Sequence, residues 1–229
     1  MKILALETSA GPASCALVED GRVLASAYIN TPLTHSQTLM PMVESMLQNA
    51  GLSFSQVERL AVTAGPGSFT GVRIGVAAVK GLAFANDTPC VGVSTLAAIA
   101  RNIEGLCFDG IVCAAMDARC RQVYTACFEK GERLTPDEAI SLDELKNRLI
   151  SYKKPIFLLG DGAKLCYTAF VDYVPALYLA PEHLRYQNAV GVAAEAAQCE
   201  TVTAEALQPL YLRLPQAERE LRARKGISE

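Results

Sequence analysis

The stretch GPGSFTGVRIG, residues 65–75, is where the types and spacing of residues most suggest chemistry. Gly65 and Gly67 permit backbone angles closed to other residues, and Ser68 or Thr70 can cap a helix starting behind them. Helix N-termini attract anions, so Gly65, Gly67, Ser68 and Thr70 are candidate contacts for a nucleotide or other anion. The turn lacks the Lys-Ser/Thr ending of a P-loop. Its glycines also miss the G-x-G-x-x-G spacing, since Gly67 is followed by Thr70 and then Gly71.

Other chemistry is thin. There are only two histidines, His35 and His183, and a histidine-based metal site would need both plus acids from elsewhere. No two of the eight cysteines lie within five residues of each other, so no C-x-x-C knuckle exists. They read as reduced, small core residues. A net charge of −3 argues against a broad basic surface for nucleic acid. The tail QAERELRARK, 216–225, offers Arg219, Arg222, Arg224 and Lys225 to RNA or, balanced by Glu218 and Glu220, forms a solvated helix face.

Elements must hold these residues in place. KILALETS reads as a first strand, and SCALVED and RVLASAYI as two more, joined through Asp20-Gly21, a dipeptide suited to a tight hairpin turn. A helix over 35–50 follows, with Leu39, Val43, Met46, Leu47 and Ala50 on one stripe, Pro41 inside it and Gly51 closing it. Ser53 and Gln56 make a capping-box pattern. RLAVTA is a strand, the glycine turn leads into a helix over 71–85, PCVGVS is a strand and TLAAIARNI a helix. A meander followed by alternating helices and strands implies an α/β fold with a mixed sheet covered by helices.

Near Gly105 the pattern restarts. GIVCAAMDA and QVYTACFEK read as strands of a second sheet, 142–150 as a helix, PIFLLGDGA as a strand entering a turn, and 189–198 as a helix. The expected organisation is an N-terminal lobe, 1–104, joined by a C-terminal helix at 214–229, and a smaller C-terminal lobe, 105–213. With 229 residues, 51% hydrophobic and 20% charged, a packed core is expected. The opening apolar run is too short for a signal peptide, and no stretch approaches the roughly 18 apolar residues of a membrane span. The chain is expected to be cytoplasmic, with no membrane partner.

The helix over 71–85 is apolar on more than one side. Its only charges, Arg73 and Lys80, stand seven apart on one narrow face. Glycine costs a helix interior about 1 kcal/mol relative to alanine, so Gly71, Gly75 and Gly81 make sense where another backbone comes close. The 35–50 helix adds Met40, Met42 and Met46, and methionine suits adaptable contact surfaces. A surplus of apolar surface predicts a partner. Leu39, Val43, Met46 and Leu47 of the first helix, and Gly71, Val72, Gly75, Val76, Val79 and Ala83 of the second, are the expected partner-binding residues. The alternative is that the chain's own second sheet or tail covers them.

The segments ILALETSA, HSQTLMPMVESML, AVTAGPGSFTGVRIGVAAVKGLAFA, GVSTLAAIA and MDARCRQVYTACF closely resemble the TsaB (YeaZ) family, a subunit of the bacterial machinery that makes threonylcarbamoyladenosine in tRNA. The resemblance covers residues 1–130 well and continues thinly through GDGA, 160–163, and PLYLR, 209–213. It implies a two-lobed, actin-like and sugar-kinase-like (ASKHA) fold, and a catalytic paralogue, TsaD, whose active site this chain lacks. TsaD places a metal-binding His-x-x-x-His after the strand equivalent to PCVGV. Thr95 and Ile99 stand there, and Ala97 and Ala98 offer no carboxylate, so no Fe or Zn site is expected. Asp117-Ala118-Arg119 replaces a glycine-paired phosphate turn, which sets a carboxylate against any polyphosphate. Glu7 stands where the superfamily has an aspartate that handles Mg²⁺ and water, and glutamate leaves that position open.

The implied function is a non-catalytic scaffold and dimerisation subunit. It has no catalytic residue, no metal and no cofactor bound independently, with ATP used by the complex. The implied partners are TsaD, bound through the two helices, and the ATPase TsaE. Contact with tRNA and threonylcarbamoyl-AMP is indirect, and a homodimer through the same face is open when TsaD is absent. The competing function is a stand-alone actin-like-fold ATPase or small-molecule kinase, whose mark is ATP hydrolysis by the pure chain. A metalloprotease, after the glycoprotease label once given to TsaD's family, is disfavoured by the missing histidine pair.

Overall fold

The computed structural model describes residues 1–213. The charged pattern at 216–225 and the helix expected at 214–229 lie outside the described residues.

The first sheet has the order β3-β2-β1-β4-β5. Strands β1 (Lys2–Glu7), β2 (Ala13–Glu19) and β3 (Arg22–Ile29) form the antiparallel meander, and β4 (Arg59–Gly65) and β5 (Cys90–Ser94) continue it parallel to β1. At the β2–β3 turn Asp20 and Gly21 take φ of 48° and 82°, the left-handed pair that a two-residue hairpin loop needs. Strand β1 is apolar almost without a break because helices cover both of its faces. Leu4 and Leu6 pack with α1 (His35–Asn49) and α2 (Phe69–Phe84). Ile3 and Ala5 pack with α7 (Ala189–Ala196) on the other side. The two-residue period of a strand sends alternate side chains to opposite faces.

The second sheet runs β11-β10-β6-β7-β8. Strand β6 (Ile111–Asp117) pairs antiparallel with β7 (Gln122–Glu129), which also carries β8 (Glu132–Arg133) and β9 (Glu138–Ser141). Strands β10 (Ile156–Leu159) and β11 (Leu177–Leu179) extend it parallel to β6. Helices α4 (Leu142–Tyr152) and α5 (Ala163–Phe170) cover one face, where Leu145, Leu149 and Phe170 meet Ile111 and Cys113. On the other face lies α3 (Thr95–Ala100). Its Leu96 and Ile99 pack on Ala114, Met116 and Phe128, while Ala98 joins Val91 and Val192 beneath the first sheet. This wedge position explains why TLAAIA is apolar all round: both sides face a sheet. Ser94 caps it, its Oγ accepting the Ala97 N–H at 3.1 Å.

The lobe boundary expected at 105–213 needs correction. After the short α6 (Glu182–Arg185), the chain returns to the first sheet. Val192, Ala193 and Ala196 of α7 are buried against β1, β4 and β5. Cys90 and Val202 exchange backbone hydrogen bonds of 2.9 and 2.7 Å along the edge of β5. Leu207 is in the same core as Leu60 and Val72. An open parallel edge and an uncovered apolar face need protection, and 189–210 supplies it. No pattern within 105–213 reveals this, because the surfaces that α7 covers are more than ninety residues away in sequence. Short elements escaped the periodicity as well: β8, β9, α5, β11 and α6 each span no more than eight residues.

All eight cysteines are free, and Cys15, Cys90, Cys113, Cys127 and Cys166 are buried core residues. The Ser53–Gln56 capping box forms, and Pro41 lies within α1. Among the described residues no helix is long and apolar enough to cross a membrane.

Candidate functional site

The glycine turn between β4 and α2 borders a cleft of about 470 Å³, whose walls include Ser9, Phe69, Asp117, Asp161 and Tyr211. The glycines of the turn pack closely against other backbone of the chain. Gly65 has φ +133°, and a Cβ there would lie 2.1 Å from the Leu210 carbonyl oxygen. Leu210 also donates its N–H to Ala64 O at 2.6 Å. A Cβ on Gly67 would meet Ser9 O at 2.5 Å, and the Ser68 N–H donates to that same oxygen. Gly65 and Gly67 thus have a packing role, their bare backbone facing other backbone of this chain, and Gly67 also lines the cleft. Ser68 caps α2 through its Oγ, which accepts the Gly71 N–H. Ser68 and Thr70 are exposed at the rim of a neighbouring hollow that also holds Leu33 and Ile74.

Behind the cleft wall at Ser9 the interior is polar and crowded. Glu7 is fully buried, and its Oε1 accepts the Ser9 N–H at 2.5 Å. Its Oε2 has no partner, and the Ser9 and Thr63 hydroxyls beside it fall short of hydrogen-bond geometry. Burial pushes the Glu7 carboxyl up to about 7. Asp161, pushed up by burial too, accepts a 2.7 Å bond from the Gln187 amide.

The second-lobe turn is closed by its own residues. Asp117 Oδ1 accepts the Arg119 N–H at 2.8 Å, and Arg213 donates to Ala118 O at 2.8 Å. Arg119, Cys120 and Arg121 take φ of 64°, 52° and 58° without a glycine among them, a run of left-handed residues that costs roughly 1–2 kcal/mol each. Thr95 and Ile99, at the positions the resemblance equates with TsaD's histidines, are both fully buried. His35 Nε2 lies 2.8 Å from Ala10 O, and His183 sits on α6. No group of three His, Cys, Asp or Glu among the described residues is placed to hold a metal ion.

The two helices show a larger correction. Leu39, Val43, Met46 and Leu47 of α1 and Gly71, Val72, Gly75, Val76, Val79 and Ala83 of α2 are all buried within this chain. They pack on Leu4, Leu6 and Val62 of the first sheet. They cannot meet a partner directly. The glycines do admit a close backbone, but it is the chain's own: a Cβ on Gly71 would lie 2.1 Å from Thr8 O, and one on Gly75 2.5 Å from Thr8 Oγ1. Gly71→Ala should therefore destabilise the fold by about 2–3 kcal/mol through overpacking. Gly81→Ala, with nothing within 4 Å of the new methyl, should stabilise it by up to ~1 kcal/mol. Urea denaturation of both variants checks the contrast.

Opposite the buried stripe lies a second one. Thr70, Ile74, Ala77, Gly81 and Phe84 follow each other at intervals of four and three along α2, and Phe84 is 88% exposed. Leu33 is 57% exposed beside Thr70 and Ile74, and Met40 is exposed on α1. The helix's charges are drawn off this seam. Arg73 stacks 3.7 Å over Phe69 and donates to Tyr211 Oη at 2.8 Å, and Lys80 donates to Glu205 O at 3.2 Å. Composition signalled two apolar sides. Only the sheet's position tells which one is spare.

A family model described as TsaD, tRNA N6-adenosine threonylcarbamoyltransferase, matches residues 30–220. The tRNA threonylcarbamoyladenosine biosynthesis protein TsaB of Bacillus subtilis (strain 168) is 32% identical over 225 residues, 95% of this chain and 96% of its own. The chain belongs to the TsaB family. A solved structure of YeaZ from Pseudomonas aeruginosa, 33% identical, superposes with a TM-score of 0.76 over 92% of this chain and 99% of that one. The fold extends further: component A of the (R)-2-hydroxyglutaryl-CoA dehydratase of Acidaminococcus fermentans, 12% identical, matches with a TM-score of 0.52 over 86% of this chain and 97% of its own. Two mixed sheets flanked by helices make this the actin-like, sugar-kinase-like fold.

Proposed function

We propose that this chain acts in threonylcarbamoyladenosine formation on tRNA as a non-catalytic subunit that binds a TsaD-type paralogue through the outer seam of α2 with the exposed side of α1. The observation that carries this is the uncharged stripe of half-buried Ile74 and exposed Ala77, Gly81 and Phe84, left open while the helix's other apolar side is buried. Gly81 lets a facing backbone come close, and the four-three spacing is that of a helix-packing seam. The resulting pair of helices would meet the equivalent pair on the paralogue. A standard interface buries about 1,600 Å² in total, which two helix faces with their flanking loop can supply. The subunit contributes binding energy and orientation, helps recruit TsaE, and leaves ATP use to the complex. Contact with tRNA and threonylcarbamoyl-AMP is indirect, and the same face serves a homodimer when the paralogue is absent.

Phe84→Asp tests this. A large aromatic anchor near the centre of an interface is typically worth 2 kcal/mol or more, so affinity for TsaD, measured by titration calorimetry, should fall at least ~30-fold. The variant should melt like the wild type because Phe84 touches little of its own chain. Undiminished binding would move the partner surface elsewhere. ATP turnover by the pure chain would instead support an independent ATPase.

A further inference from the structure

A larger hollow, about 740 Å³, opens where α3, α7 and the second sheet meet. That volume lies within the range of small-molecule sites, roughly 300–1,000 Å³. Its floor is apolar: Ala97, Ala100 and Ile103 follow α3, and Val112 and Phe128 come from β6 and β7. Residues 104–109, the segment linking the two sheets, form its rim.

The hollow is held open rather than left over. Gly105 turns the linking segment with φ +82°. The Phe108 ring, part of the lining, is anchored by Phe157 and Tyr178, at centroid distances of 5.3 and 6.4 Å. Arg101 fixes the wall between α3 and α7, with 2.8 Å bonds to both Glu195 and Gln198 and a third bond to Glu104. The small side chains of Ala97 and Ala100 leave the space that larger residues would fill.

The charges around the rim are committed unequally. Glu104 and Glu195 belong to Arg101. Arg133 pairs with Asp137 while its guanidinium lies 4.8 Å over the Phe128 ring. Lys130 has only a 3.6 Å approach to Asp109, and both side chains are largely exposed. An exposed pair of this kind holds by at most about 1 kcal/mol, so an incoming anion can take the lysine. We propose that this hollow binds a small planar aromatic molecule carrying one anionic group, with its ring against Ala97, Ala100 and Ile103 and its anion at Lys130. The second sheet supplies one wall, and α3 and α7, which pack beneath the first sheet, supply the other, so such a ligand would tie together the two halves of the molecule.

The probe is 8-anilinonaphthalene-1-sulfonate, an aromatic sulfonate, titrated into the full chain by fluorescence. Saturable binding of one probe per chain is expected. It should weaken about fivefold in Lys130→Glu, the worth of one exposed charge contact, and vanish in Ala100→Trp, whose indole fills the floor. Exposed Cys107, on the rim, adds an independent readout. The probe should slow its alkylation by iodoacetamide several-fold while leaving exposed Cys120 unaffected. Probe held on the bare seam of α2 would survive Ala100→Trp and leave Cys107 unprotected, and either result in a folded protein overturns the proposal. If Ala100→Trp does not fold, Cys107 protection in the wild type decides.

Discussion

Val76→Asp should leave no folded protein with which to measure binding. Val76 is 4% exposed in the core between α2 and the first sheet, among Leu4, Leu6, Val62 and Val72. Those neighbours are apolar, so a carboxylate among them is either ionised at high cost or held neutral far from its ordinary pKa. Uncompensated buried charges cost about 3–5 kcal/mol, against a total stability of roughly 5–15 kcal/mol for proteins generally. The expected result is insoluble protein, or a melting transition lowered by many degrees and seen by circular dichroism. Phe84→Asp, two turns along the same helix and pointing away, should fold normally and lose only its partner. The pair separates stability from recognition on one element. A Val76→Asp protein with native melting would mean that α2 lies the other way round, with its valine stripe available to a partner.

That reversal marks the limit of what could be read from residues alone. The first lobe was legible nearly element by element, because its strands are short apolar runs, its turns use Asp20-Gly21 and glycines, and its helices carry long periodic stripes. The existence of a doubly apolar α2 was legible too. Which stripe faces inward was not, since Val72, Val76 and Val79 look no more like core than Ile74, Ala77 and Phe84 until β1 and β4 are in place beneath them. Counting valines alone would have leaned the right way, β-branched residues being good fillers for a sheet-facing surface. The glycine turn misled for a related reason. Gly65 and Gly67 announce close approach, but sequence does not say to what, and Ser9 and Leu210 lie far from the turn along the chain. The return of 189–210 to the first sheet was hidden because small-residue helices such as AVGVAAEA suit any flat apolar face. The hollow beside α3 gave no signal at all, being bounded by loops and by alanines whose importance is the volume they leave empty.

Glu7→Gln should make the protein more stable at pH 8. Burial raises the folded-state value of this carboxyl from an ordinary 4.5 to about 7. Between those values the folded chain holds a proton that the unfolded chain has released, so stability falls as pH rises from 4.5 towards 7 and is level above that. At about 1.36 kcal/mol per unit, the ionised carboxylate costs roughly 3 kcal/mol at pH 8. Glutamine reproduces the protonated form: its oxygen can keep the Ser9 N–H that Oε1 now accepts, and its amide nitrogen replaces the Oε2 that has no partner. Urea denaturation at pH 8 should show the variant ahead by about that amount, and at pH 4.5 the two proteins should nearly coincide. The comparison also tests the character of the cleft. A variant that is weaker at pH 8 would mean that the ionised carboxylate is held there by a cation, and the buried group of Glu7, Ser9 and Thr63 would then be an ion site. With the expected sign, the same group is a buried neutral acid, its charge suppressed by the packing that closes the first lobe.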